Sequence, residues 1–311
     1  MLDSYEKLGA SKKIREGVCE LSLPLGRGKM KIDYVVSTIT FDHVKSRTIE
    51  CMELARWLLF RQDIAFYWNV MYGDGKARSR SISASRFLTV SEAKYLIFID
   101  SDILFTPENL KRIFEDLRAG YDLVGGIFAV RGGTQPSSYA YNAVYHLDGK
   151  INEFEYLSSG FMGISRKLLK KMVDEIPLPF LHPKDLKFWP FFEEKQYPDR
   201  EGEGIFLSED YDFCEKARSV GIKTYVDSSI QLGHLGEYVF TLTDVIRHQK
   251  GIREKAEKEA KEKGLGDIAN VKQVAIDSLA RERSVGDVRE EGRTADKAAP
   301  KPSKNKRGEK K

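Results

Sequence analysis

Two aspartates separated by one serine close an apolar run in YLIFIDSDILF, residues 95–105. Carboxylates next to buried structure are costly unless a cation answers them, so Asp100 and Asp102 call for a partner. In an extended chain, residues two apart share a face, which would aim both carboxylates at one point. Two hard oxygen donors suit Mg²⁺ or Mn²⁺, ions held by one or two carboxylates together with substrate phosphates. The bland alternative is that Asp100, Ser101 and Asp102 form only a turn or a helix cap. A calcium EF-loop is disfavoured, because Leu104 and Phe105 fall where a ligand and a glycine are needed. A second acidic cluster, Glu209, Asp210 and Asp212 in SEDYDF, stands just before a predicted helix. Acidic residues there cap the helix and complement its dipole, or they do proton chemistry. His234, between glycines in QLGHLG, follows a short predicted strand. A lone histidine is more often structural, and this one gains interest only from its order after the two acidic elements.

The elements that must position these residues alternate. Residues 31–41, rich in β-branched types, read as a first strand, and residues 43–60 carry apolar residues at helical spacing (Val44, Ile49, Met52, Leu54, Trp57, Leu58). A strand over 63–74 ends at Gly73 and Asp74, a helix covers 76–93, and YLIFID is the third strand. Pro107 opens the next helix and Gly120 ends it, before a fourth strand over 122–130. Strands alternating with helices predict an α/β fold around a parallel sheet covered on both faces. Ligands in such sheets bind beyond the carboxyl ends of the strands, where Asp100 and Asp102 fall. From 151 onward, INEFEYLSSGFMGISRKLLKKM reads as a strand, a glycine-containing turn and a helix. A long loop with five prolines between 177 and 198 follows, and then the acidic cluster, a helix, a strand and the histidine.

Taken in order, this set resembles the GT-A glycosyltransferases, in particular the family-two-like group with its viral, phage and microbial relatives. The resemblance runs over about residues 31–240 and is carried most strongly by ARSRSISASRFLTVSEAKYLIFIDSDILFTPENL. It implies a Rossmann-like GT-A domain with a mostly parallel central sheet flanked by helices. Residues 31–131 would bind a sugar nucleotide and 132–240 an acceptor. It further implies that Asp102 ligates Mn²⁺ or Mg²⁺, with Asp100 near that metal or the donor ribose and His234 as a third ligand. Asp210 would be the general base and Glu209 would help bind the acceptor. Ser37 to Thr40 (with Thr38 and Thr40 foremost) and Asp74 would border the nucleoside, with Ser101 beside them. Arg78 and Arg80 would reach the diphosphate, and Gly160 would let the backbone approach the donor sugar. A base opposite the leaving group implies inversion. The partners implied are a nucleotide-sugar donor and a glycan, lipid or protein acceptor.

The Q-x-x-R-W motif of polymer-forming family-two enzymes is missing, so processive synthesis on a membrane is unsupported. The aromatics Trp189, Phe191, Phe192 and Tyr197 of the proline-rich loop suit either sugar stacking or core filling. A haloacid-dehalogenase-type phosphatase also ends an apolar strand in D-x-D, with Asp100 as nucleophile and Asp102 as acid/base. That family usually has Thr or Val where Leu104 stands, and its motif strand comes first rather than third. A non-catalytic GT-A-like carbohydrate-binding protein is the remaining alternative.

The bulk numbers agree with a globular chain. It has 311 residues, 41% hydrophobic and 32% charged, with net charge +4. Residues 281–311 hold 11 Lys/Arg against 6 Asp/Glu, so that tail carries +5 and the rest is near neutral at −1. No basic face for nucleic acid is expected. Three scattered cysteines make no zinc or disulfide framework, and no run nears the roughly 20 apolar residues of a membrane span. A cytoplasmic protein is expected, with a short N-terminal arm over 1–30. A charged helical extension over 241–280 could make a peripheral membrane or oligomer contact through 251–280. A disordered basic tail is expected over 281–311.

Overall fold

The computed structural model describes residues 20–22, 29–73, 75–141, 145–181, 187–198, 204–236 and 239–262. Asp74 and residues 263–311, with the expected tail and the end of the extension, lie outside them. The chain divides into two units, Met1–Ile246 and Arg247–Lys311.

In chain order the elements are β1 (Glu20–Ser22), β2 (Lys29–Lys31), β3 (Tyr34–Thr40), α1 (Ser46–Phe60), β4 (Phe66–Tyr72), α2 (Lys76–Val90), β5 (Tyr95–Ile99) and β6 (Ile103–Leu104). There follow α3 (Pro107–Arg118), β7 (Leu123–Ile127), β8 (Ile151–Phe154), β9 (Phe161–Ser165), α4 (Arg166–Glu175), β10 (Lys195–Pro198) and β11 (Gly204–Leu207). The last are α5 (Glu209–Ser219), β12 (Thr224–Gln231), β13 (Gly233–Leu235), β14 (Val239–Phe240) and α6 (Leu242–Glu262). β1 and β2 pair antiparallel, β1 inside the expected arm and β2 running past its end at residue 30.

Seven strands form the central sheet in the order β4-β3-β5-β9-β7-β12-β8. Five of them run one way, and β9 and β8 run against them. This is the expected α/β architecture with a mostly parallel sheet. Alternate residues of β5 feed opposite faces, as strand geometry requires. Leu96 and Phe98 pack with Ile82, Phe87, Leu168, Leu169, Met172 and Phe213 of α2, α4 and α5. Ile97 and Ile99 pack with Met52, Leu59, Leu110, Ile113 and Phe114 of α1 and α3. α3 begins on a capping box, with Asn109 N–H donating to Thr106 and Asn109 answering the Thr106 N–H, and Pro107 sits in the first turn.

Two sequence expectations change. α1 buries Thr48, Met52, Ala55 and Leu59, leaving Ile49, Leu54 and Trp57 exposed, so only Met52 of the expected apolar face reaches the core. FMGIS, expected as part of a glycine-containing turn, is β9, inserted antiparallel between β5 and β7. Gly163 belongs in this strand because a Cβ there would sit 3.0–3.1 Å from Leu117 and Ile113 of α3. Among the described residues no helix is long and apolar enough to cross a membrane.

Candidate active site

β3, β5, β7 and β12 end at one edge of the sheet, at Thr40, Ile99, Ile127 and Gln231. β9 runs the other way, so the residues just before it, Ser159 and Gly160, come to that same edge. The Asp100 N–H donates to the Gly160 carbonyl (3.0 Å), locking the Asp-Ser-Asp segment to this turn. β5 ends at Ile99, and the chain turns so that Ile103 N–H donates back to the Asp100 carbonyl (3.3 Å). The same-face rule for residues two apart holds only while the strand persists. Here the turn gives the two carboxylates different neighbours.

Asp100 accepts from Arg80 Nη2 at 2.5 Å, and Lys76 Nζ stands 3.8 Å from its other oxygen. Asp102 meets Arg131 and His234 instead. Burial works against its ionisation, but the hydrogen bond and charge of His234, and then Arg131, outweigh it and hold the carboxyl at about 2. His234 reaches this place on a small ribbon, β14-β13-β6, in which His234 lies opposite Ile103. Leu235 N–H donates to the Asp102 carbonyl at 2.7 Å, closing the ribbon onto the turn.

The His234 ring suits a metal. Nδ1 lies 3.1 Å from the Ala129 carbonyl, an acceptor that calls for a proton on Nδ1. Nε2 lies 3.5 Å from Asp102 Oδ2, where a proton on it pairs the ring with that carboxylate and its lone pair, once that proton is gone, would face the same oxygen. A divalent ion in place of that proton would be shared by carboxylate and imidazole, and a carbonyl behind the imidazole is the usual support for a ligating histidine. A carboxylate and an imidazole fit a divalent ion that takes its remaining ligands from phosphate and water. Asp100 does not join them, and among the described residues no three His, Cys, Asp or Glu side chains close on one point.

The acidic cluster at the start of α5 divides three ways. Asp210 Oδ1 accepts from Ser208 Oγ (2.5 Å) and Tyr211 N–H (3.0 Å), and Oδ2 accepts from Ser159 N–H (3.2 Å) and Ser159 Oγ (3.5 Å). Glu209 is buried and pairs with Arg80 Nη1. Burial pushes its carboxyl upward, against the pull of Arg80. Asp212 is fully buried and accepts from Lys216 Nζ (2.7 Å), Tyr197 Oη (2.7 Å) and Glu193 N–H (3.1 Å). Asp212 thus anchors the proline-rich loop to α5.

The remaining expected residues are distributed as follows. Thr38 and Thr40 lie at the end of β3 but are buried, with Thr38 Oγ1 accepting from Trp68 Nε1 (3.0 Å) and Thr40 Oγ1 donating to the His43 carbonyl (2.6 Å). The Ser101 carbonyl accepts from Lys45 N–H at 2.9 Å. Arg78 is exposed on α2, whereas Arg80 is 1% exposed and turned inward. At Gly160 a Cβ would fall 2.5 Å from the Phe128 ring, so close packing requires this glycine. Phe191 and Phe192 are core residues, and Phe192 stacks on Phe213 at 4.4 Å. Arg131, Lys76 and Ser159 escaped the sequence reading. The first two are cations in segments bordering the carboxyl edge of the sheet, and that position was the available signal.

No family model and no curated protein matches this sequence. Similar solved structures include A197 from STIV, at 17% identity and a TM-score of 0.44, covering 66% of this chain and 86% of that one. GalNAc-T7, crystallised with UDP, GalNAc and Mn²⁺, is similar at 11% identity and a TM-score of 0.41, over 88% of this chain and 62% of its own. S. aureus TarS 1–349 is similar at 15% identity and a TM-score of 0.38, over 74% of this chain and 66% of its own.

Proposed function

We propose that this chain is a GT-A glycosyltransferase that moves a sugar from a nucleotide-sugar donor to an acceptor hydroxyl, on a glycan, lipid or protein, with inversion. The observation that carries the reading is a convergence. Gly160 holds the backbone of Asp100 and its neighbour Ser159 holds the side chain of Asp210. Residues 110 positions apart thereby meet at the carboxyl edge of the sheet, where ligands of α/β folds bind.

The chemistry follows from those side chains. Asp102 and His234 would hold Mn²⁺ or Mg²⁺, which when bound neutralises charge on a departing diphosphate. Arg131 beside Asp102 and Lys76 beside Asp100 suit phosphate oxygens. Asp210, held by Ser208 and Ser159, takes the proton of the acceptor hydroxyl as its oxygen attacks the anomeric carbon. One carbon–oxygen bond forms there as the bond to the phosphate oxygen breaks, and the nucleoside diphosphate leaves from the opposite face. A carboxylate suffices as base because the hydroxyl becomes acidic as its new bond forms. The phosphatase alternative needs Asp100 free to attack phosphorus, whereas Asp100 is bonded to Arg80 and its side chain is only 17% exposed.

The test is a panel of UDP-, GDP-, CDP- and dTDP-sugars with Mn²⁺ or EDTA, scored by released nucleotide. Metal-dependent release from one donor, lost in Asp102→Ala, is expected. Hydrolysis of a generic phosphomonoester with no release from any donor would replace this reading by the phosphatase.

A further inference from the structure

Arg80 is the largest fully buried side chain among the described residues and the one fully buried cation in that set. Its guanidinium spans two carboxylates on elements far apart in sequence, Asp100 Oδ1 at 2.5 Å through Nη2 and Glu209 through Nη1. Its Nε is buried without a partner. Removing a guanidinium and two carboxylates from water is expensive, and well-packed apolar residues commonly serve folding equally well. The fork geometry gives a physical reason for arginine here. Two nitrogens on one rigid plane can address two carboxylates at once, which the point charge of lysine cannot do with fixed direction.

Asp100 belongs to the turn that carries Asp102, and Glu209 immediately precedes Asp210. The guanidinium therefore joins the two segments that would face donor and acceptor. Ser159 and Gly160 join the same segments from another side. With both links in place, a displacement of the Asp-Ser-Asp turn is passed to the first turn of α5.

We propose that Arg80 is a positioning residue that sets Asp210 relative to the donor through the Asp100–Arg80–Glu209 bridge. This rests on the glycosyl-transfer reading. Arg80 itself touches neither substrate, and it acts through the two carboxylates it spans.

The experiment uses the full chain and three variants, Arg80→Ala, Arg80→Lys and Glu209→Gln. Thermal melting, donor affinity by calorimetry, and the rate of nucleotide release are measured on each. Arg80→Ala is expected to lower turnover about 100-fold, the scale of misplacing a reacting group by an ångström. Donor affinity is expected to change much less than turnover. Added guanidinium ion restores part of the lost turnover in Arg80→Ala and none in Glu209→Gln. Arg80→Lys, which keeps the charge without the fork, remains impaired. Turnover unchanged in a folded Arg80→Ala, or affinity and turnover lost in parallel with no rescue, would overturn the proposal. Unfolding of all three variants would assign Arg80 to folding alone and overturn it as well. If the unaltered chain releases nucleotide from no donor, the glycosyl-transfer reading fails and takes this inference with it.

Discussion

Arg131 and His234 reach the same oxygen of Asp102. The guanidinium therefore competes for a carboxylate oxygen that a divalent ion held by Asp102 and His234 would draw on. Its side chain is 57% exposed, and exposed ion pairs contribute about 1 kcal/mol or less. Arg131→Ala is predicted to tighten Mn²⁺ binding by up to about fivefold, read by the loss of free-Mn²⁺ signal in electron paramagnetic resonance; weaker binding would make Arg131 a support of the site. A second residue-scale prediction concerns Asp116 of α3. Asp116 is 2% exposed and has one oxygen without a partner, while Arg112 bonds Asp227 at 2.6 Å. Burial and then the Asp227 charge push Asp116 up to about 7. The native state then holds a proton that the unfolded chain releases at about pH 4. Stability is therefore fully present below that value and declines as pH rises toward about 7, levelling above it. Asp116→Asn is predicted to flatten this slope and to gain at most about 4 kcal/mol at pH 8, measured by urea unfolding across pH. An unchanged slope would show that Asp116 is not its source. At this scale the sequence was informative where chemistry was local. The apolar run before Asp100 marked a strand end, but the partners of each carboxylate come from tertiary neighbours 20 to 132 residues away.

At the scale of elements, Gly160 and Asp212 are the positions where one change propagates. A Cβ at Gly160 would press on Phe128 at 2.5 Å. Overpacking of this kind costs about 1–3 kcal/mol, and relaxing it would drag the carbonyl that holds Asp100. Gly160→Ala is predicted to lower the melting temperature, with Phe128→Leu in the same chain restoring part of the loss; no rescue would place the strain elsewhere. Asp212→Ala would leave Lys216, 6% exposed, short of its buried counter-charge. A loss of about 3–5 kcal/mol is predicted by denaturant unfolding, with Asp212→Asn milder because it still accepts from Tyr197 or Glu193. The main alternation of strands and helices was legible because its apolar periods were clear. β9 was not, since five residues with a central glycine read as a turn until a neighbouring helix explains the glycine. Nor was the burial of α2, whose serines would mark a solvent face. Ser81 Oγ instead donates to the Phe192 carbonyl (3.1 Å) and accepts from its N–H (3.0 Å), while Ser85 Oγ accepts from Trp189 N–H (2.9 Å).

For the whole molecule, one sheet carries strands from both halves expected from the sequence. β3, β4, β5 and β7 come from residues 31–131 and β8, β9 and β12 from 132–240. On the proposed reading, donor-side and acceptor-side groups would thus be set by one framework, with β9 threading between β5 and β7 to deliver Ser159 and Gly160. The most direct measurement compares the unaltered chain with Asp210→Asn, using the donor found in the panel. Donor binding by calorimetry and nucleotide release are read on the same samples. Metal-dependent binding is expected to stay nearly unchanged while release falls about 100-fold or more, the usual contribution of a general base. Release undiminished in Asp210→Asn would contradict it.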